Sequence, residues 1–157
     1  MRKLFVLGVL LLGILQSYAQ ETQIRSNKNH LFEEGQSLFV QQKYGAARKA
    51  FEDYLSVADE RAANRIDAMY YIACTAYELN DPNAEEILKN FVEKYPYYPM
   101  QNRISLNLGQ MYFDKKQYQQ AAMYLAQVDP YDLNEKEAEI LLHQRILPAA
   151  REELPSG

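Results

Sequence analysis

A period of 37 residues runs through this chain. Tyr44, Ala47, Phe51 and Tyr54 are followed 37 positions on by Asp81, Ala84, Leu88 and Phe91, and after 37 more by Tyr118, Ala121, Leu125 and Val128. The second place is small in all three sets, and the third and fourth places are apolar. A chain that repeats itself at this interval folds as an array of like units, each burying its apolar face against its neighbours. A second series lies upstream of each block: Gly35, Ala73 and Gly109, at intervals of 38 and 36. The connection inside the middle unit is therefore one residue shorter.

Each unit reads as two helices. Leu31, Phe32, Gly35, Leu38 and Phe39 recur at helical spacing, Gln41-Gln42-Lys43 forms a polar break, and a second helix is expected over 44–58. In the middle unit Asn80-Asp81-Pro82 marks a helix start, with Asp81 as cap and Pro82 in the first turn. The third unit is expected to run over 104–115, break at Lys116-Gln117 and resume over 118–128. Asn134, with Glu137 three residues later, forms a capping box that opens a seventh helix from Glu135 to about Leu147. No stretch alternates with period two, so no sheet is expected. The expected fold is all-α: three helical hairpins and a seventh, C-terminal helix.

Small residues recur where two helix axes must approach. A glycine inside a helix costs about 1 kcal/mol relative to alanine. Gly35 and Gly109 at matching places therefore point to a packing requirement, shared by Ala73 on the first helices and by Ala47, Ala84 and Ala121 on the second.

The N-terminus stands apart from this pattern. Arg2 and Lys3 precede an apolar run of 12 residues, Leu4 to Leu15, and Ser17-Tyr18-Ala19 offers small residues to a signal peptidase. As a helix that run would rise ~18 Å, short of the ~30 Å hydrocarbon core of a membrane. Residues 1–19 are read as an export signal, 20–27 as an extension, 28–147 as the repeat domain and 148–157 as a tail. No membrane-spanning segment is expected after cleavage. Losing Arg2 and Lys3 and no acid moves the formal charge from −4 to −6. An acidic chain without a basic run is a poor match for nucleic acid, whose phosphates need Lys and Arg. The one cysteine, Cys74, allows no intramolecular disulfide.

Leu108-Gly109 with Tyr112, followed by Tyr118, Ala121 and Leu125, resembles a tetratricopeptide repeat with leucine at the usual aromatic. Gly35, Ala47 and Phe51 match the same pattern, as do Ala73, Ala84, Leu88 and Pro96 with one deletion. The family's early tryptophan is replaced by Leu31, Met69 and Ser105. The phrase Phe91-Val92-Glu93-Lys94-Tyr95-Pro96 is similar to the bacterial envelope and periplasmic members. The resemblance covers about residues 28–144. It implies a right-handed superhelix of hairpins whose first helices line a concave groove, and a periplasmic or envelope-associated scaffold that binds a protein or peptide partner. By alignment the groove carries Phe39, Tyr70, Tyr77, Arg103, Gln110 and Phe113. The lysine and asparagine clamp of the chaperone-tail binders is not matched. Aromatics in the groove also admit a second class of ligand, sugar rings, although such binders usually offer tryptophan.

Catalytic groups are few. His30 and His143 are the only histidines; His30 with Glu33 and Glu34 makes an incomplete metal face. Cys74 lies among Tyr70, Tyr71 and Tyr77 without a basic neighbour in sequence, which marks a packing residue. No phosphate loop and no nucleophile elbow occurs. Neither enzyme activity, nor a cofactor, nor a metal is expected. The apolar Ile140, Leu141, Leu142, Ile146 and Leu147 exceed what a capping helix requires. They favour the front of a longer array, with Leu141 and Leu142 available to a partner.

Overall fold

The computed structural model describes residues 29–152, with side chains over 29–143. The expected leader (1–19) and extension (20–27) lie outside the described residues, as do the last five. Every regular element within them is helical: α1 (29–40), α2 (Tyr44–Val57), α3 (Arg65–Glu78), α4 (Ala84–Lys94), α5 (Gln101–Asp114), α6 (Tyr118–Leu125) and α7 (Glu135–Glu152). A single 3-10 turn, Pro130–Asp132, precedes α7. The chain divides into two compact units, one ending at Tyr71 and the other beginning at Ile72.

The first unit is held by aromatic rings. A Cβ built on Gly35 would lie 2.7 Å from Cε1 of Phe51, so α1 and α2 approach at a distance only glycine permits. Phe32 meets Phe51 edge-on at 5.7 Å and Tyr54 at a tilt at 5.4 Å, and Tyr71 stacks flat on Phe51 at 4.8 Å. Offset and edge-on pairs of this kind add about 0.5–1.5 kcal/mol beyond the area they bury. Arg65 closes α2 from the far side, its Nη1 donating to the carbonyls of Leu55 and Ala58 at 3.3 Å each. A cation there also opposes the negative end of the helix dipole.

In the second unit α5 packs against both α4 and α6. The same device recurs: a Cβ on Gly109 would come 2.5 Å from Cγ of Leu125, in the register of Gly35 and Phe51. Ala84, Leu88 and Phe91 of α4 are buried, as are Ala121 and Leu125 of α6, so the 37-residue series is the core series. Asn102 joins the start of α5 to the turn before α7, donating from Nδ2 to Asp132 Oδ2 at 2.5 Å.

The polar breaks are more specific than their composition. Gln42, Asn80 and Lys116 adopt φ of 59°, 52° and 59°. Around each, two backbone bonds close a Schellman end: Lys43 N to Leu38 O and Gln42 N to Phe39 O, then Asp81 N to Ala76 O and Asn80 N to Tyr77 O, then Gln117 N to Tyr112 O and Lys116 N to Phe113 O. Their intervals of 38 and 36 repeat those of Gly35, Ala73 and Gly109. In every unit the positive-φ residue that closes the first helix lies seven residues after the small residue.

Four boundaries differ from expectation: α5 begins at Gln101, three residues before the expected start, α6 ends at Leu125, three before the expected end, and the start of α4 and the end of α7 also move. Helix α4 begins at Ala84, and Asp81 closes the turn before it, accepting from the Asn83 amide at 2.8 Å. Helix α7 opens on the expected capping box, with Glu137 N donating to Asn134 Oδ1 at 3.0 Å and Asn134 N to Glu137 Oε2 at 3.1 Å. It then continues through Pro148 to Glu152 instead of stopping near Leu147. Pro148 removes one N–H from the ladder, and Ala149 and Ala150, the best helix formers, extend the segment beyond it. Leu141, expected to await a partner, is fully buried, on a helix packed against α5 and α6; Leu142 is exposed.

Candidate binding face of the second unit

Helix α5 is buried over 104–109 and again at Tyr112, and Arg103, Asn107, Gln110 and Asp114 follow one another along it at spacings of four, three and four. Residues so spaced share one side of a helix. This polar stripe reaches α3 at two points. The Tyr77 hydroxyl donates to Gln110 Oε1, and Arg103 Nη2 donates to Glu78 Oε1 at 3.3 Å. Arg103 also faces Glu137 of α7, Nη1 to Oε1, at 3.9 Å. One guanidinium thus links α3, α5 and α7.

Asn107 sits between these contacts with 4 % of its surface exposed, and its Nδ2 has no hydrogen-bond acceptor. A buried donor left without a partner costs about 1–3 kcal/mol. Tyr77 is half-buried; burial raises its phenol above the usual range, and the negative charges of Asp114 and Glu78 raise it further. The hydroxyl therefore stays protonated and remains a donor. Phe113, also half-buried, meets the ring of Tyr118 edge-on at 5.4 Å. Tyr77, Arg103 and Gln110 are joined in the second unit as neighbours, and Phe113 lies on the same helix as the last two.

Phe39 and Tyr70 are placed differently, in the packing of the first unit. Phe39 meets Tyr44 at 5.4 Å and Tyr71 at 5.0 Å, both edge-on. Tyr70 meets Tyr71 edge-on at 5.3 Å and is 4 % exposed, so it offers no surface to a ligand. Rings that can pack on rings are drawn inward by the area they bury. Cys74 is buried and in no disulfide. His30 is exposed beside Glu34, and no group of three or more metal-ligating side chains occurs among the described residues. Within the same residues no helix is long and apolar enough to cross a membrane.

Three residues escape a reading by alignment: Asn107, Glu78 and Glu85. The spacing of Arg103, Asn107 and Gln110 was the available signal for the first. Glu85 falls in an acidic pair that reads as a solvated face, yet it is a hub. It accepts from the Tyr112 hydroxyl at 2.6 Å, from Lys89 Nζ at 2.7 Å and from Lys115 Nζ at 2.5 Å, which ties α4 to α5. Bonds from Lys115, Lys89 and Tyr112 hold its carboxyl down at about 2. Lys89 also lies over the Tyr112 ring, 5.2 Å from its centroid.

No curated protein matches the chain. Residues 67–96 match the family model of the tetratricopeptide repeat. That segment holds most of α3, the whole of α4 and the buried series Ala73, Ala84, Leu88 and Phe91, ending at Pro96. The match, together with the all-helical hairpin architecture, supports the tetratricopeptide repeat family for this chain.

Proposed function

We propose that the protein is an exported scaffold of the bacterial cell envelope, which holds a partner protein or peptide on the Tyr77–Arg103–Gln110 face and performs no reaction on it. Tetratricopeptide repeats generally mediate protein–protein interaction, and this fold is typically a non-catalytic scaffold. The observation that carries the reading is the polar side of α5, where Gln110 accepts from the half-buried Tyr77 of α3 and Arg103 reaches Glu78 and Glu137. Export rests on the charged start, short apolar run and small residues of positions 1–19.

The test uses two side chains of the face and one outside it. Tyr77→Ala and Phe113→Ala are each expected to weaken partner binding by about 1–2 kcal/mol, the scale of aromatic anchors. Glu86→Ala, on the exposed side of α4, is expected to leave it unchanged. Titration calorimetry of the three variants decides. Loss on Glu86→Ala with none at Tyr77 or Phe113 overturns the assignment of the face.

A further inference from the structure

We infer that the segment held on this face is cationic, presenting lysine or arginine side chains to Glu78, Asp114 and Glu137. The inference rests on the binding face proposed above and adds the chemistry of its occupant. Around the polar stripe, three carboxylates stand against the single guanidinium of Arg103, which is already engaged by Glu78 and Glu137. Asp114, exposed at the end of α5, has no cation paired with it among the described residues. The nearest lysine in sequence, Lys115, is drawn to Glu85 of α4.

Tyr77 reports the resulting field. Asp114 and Glu78 both act on its phenol as negative charges, in the direction that opposes loss of its proton. A cation entering beside Tyr77 meets that same field as attraction, and the faces of Tyr77 and Phe113 add a quadrupole that favours it. An anionic segment meets repulsion from Asp114 and finds Arg103 occupied. The chain's formal charge of −4 steers such a partner at longer range.

The experiment titrates the purified full chain with short extended peptides, identical except that selected positions carry lysine, glutamine or glutamate. An oligosaccharide is the fourth probe. The lysine peptide is expected to bind tightest and to lose affinity in ~1 M salt, where charges are screened within about 3 Å. Asp114→Asn breaks no bond of the fold and is expected to weaken the lysine peptide about two- to five-fold, the scale of an exposed charge pair. Tyr77→Ala is expected to weaken all peptides, and Glu86→Gln none. If the glutamine or glutamate peptide binds as tightly as the lysine peptide and still depends on Tyr77, the charge inference falls while the binding face stands. If lysine-peptide binding ignores both Asp114→Asn and Tyr77→Ala, it is adsorption to an acidic protein, and the inference is overturned. If only the oligosaccharide binds in a Tyr77-dependent way, the peptide reading falls and takes the inference with it.

Discussion

Glu85 shows how much one side chain can carry. Its carboxylate collects a phenol and two ammonium groups from three positions, and its folded pKa of about 2 lies below the ordinary 4.5. The folded protein therefore binds this proton more weakly than the unfolded chain does. The stabilisation is complete above about 4.5 and is lost as pH falls towards about 2. Glu85→Gln is expected to cost about 1 kcal/mol near neutrality, the range of a partly exposed ionic hydrogen bond. In denaturant melts across this window, the gap between variant and parent closes on acidification; a gap that widens on acidification refutes the account. Lys116 provides the opposite case, a residue at odds with its backbone. It holds φ of 59°, a conformation that costs a side-chain-bearing residue about 1–2 kcal/mol and glycine little. Lys116→Gly is expected to gain about 0.5–1 kcal/mol, and Asn80→Gly less, because asparagine tolerates this region. Neither feature was legible in the sequence. Glu85 sits beside Glu86 like any solvated acid, and no glycine marks the left-handed positions, whose intervals of 38 and 36 carry meaning only once their φ is known.

At the scale of elements, the hairpins were legible because small and large residues repeat at fixed intervals. Crossing geometry leaves little choice: a Cβ at Gly35 or Gly109 meets Phe51 or Leu125 within van der Waals distance. The same logic makes Ala121 intolerant. Ala121→Leu places three heavy atoms where the alanine is 1 % exposed, and overpacking of this kind costs about 1–3 kcal/mol. Gln119→Leu, on the exposed side of α6, is expected to be nearly silent. Equal melting temperatures for both variants and the parent contradict the register. The candidate site was only half legible. Alignment named Phe39 and Tyr70 as groove residues, but periodicity cannot tell a ring that lines a surface from one that packs on Tyr71. Tyr77, Arg103 and Gln110 do meet, and Asn107 between them was overlooked because asparagine on a helix reads as solvated. The end of α7 was missed for a related reason: a proline is a strong stop signal, and here the helix runs through it.

For the molecule as a whole, the proposed role of holding a partner rests on the helical-repeat architecture. The proposed place of work rests on the charged start and apolar run of residues 1–19. Protein secreted by a bacterial host is expected to begin at Gln20 or within a few residues of it, as read by N-terminal sequencing; an intact Met1 in the membrane fraction contradicts export by cleavage. The claim that this protein binds another through one side of α5 is tested most directly by photocrosslinking in the cell envelope. A photoreactive phenylalanine analogue placed at Phe113 is compared with one at Glu86, and trapped species are resolved by mass. The account predicts a discrete adduct of one protein partner from position 113, lost when Tyr77→Ala is added, and none from position 86. A partner trapped from position 86 alone, or from both positions with no response to Tyr77→Ala, contradicts it.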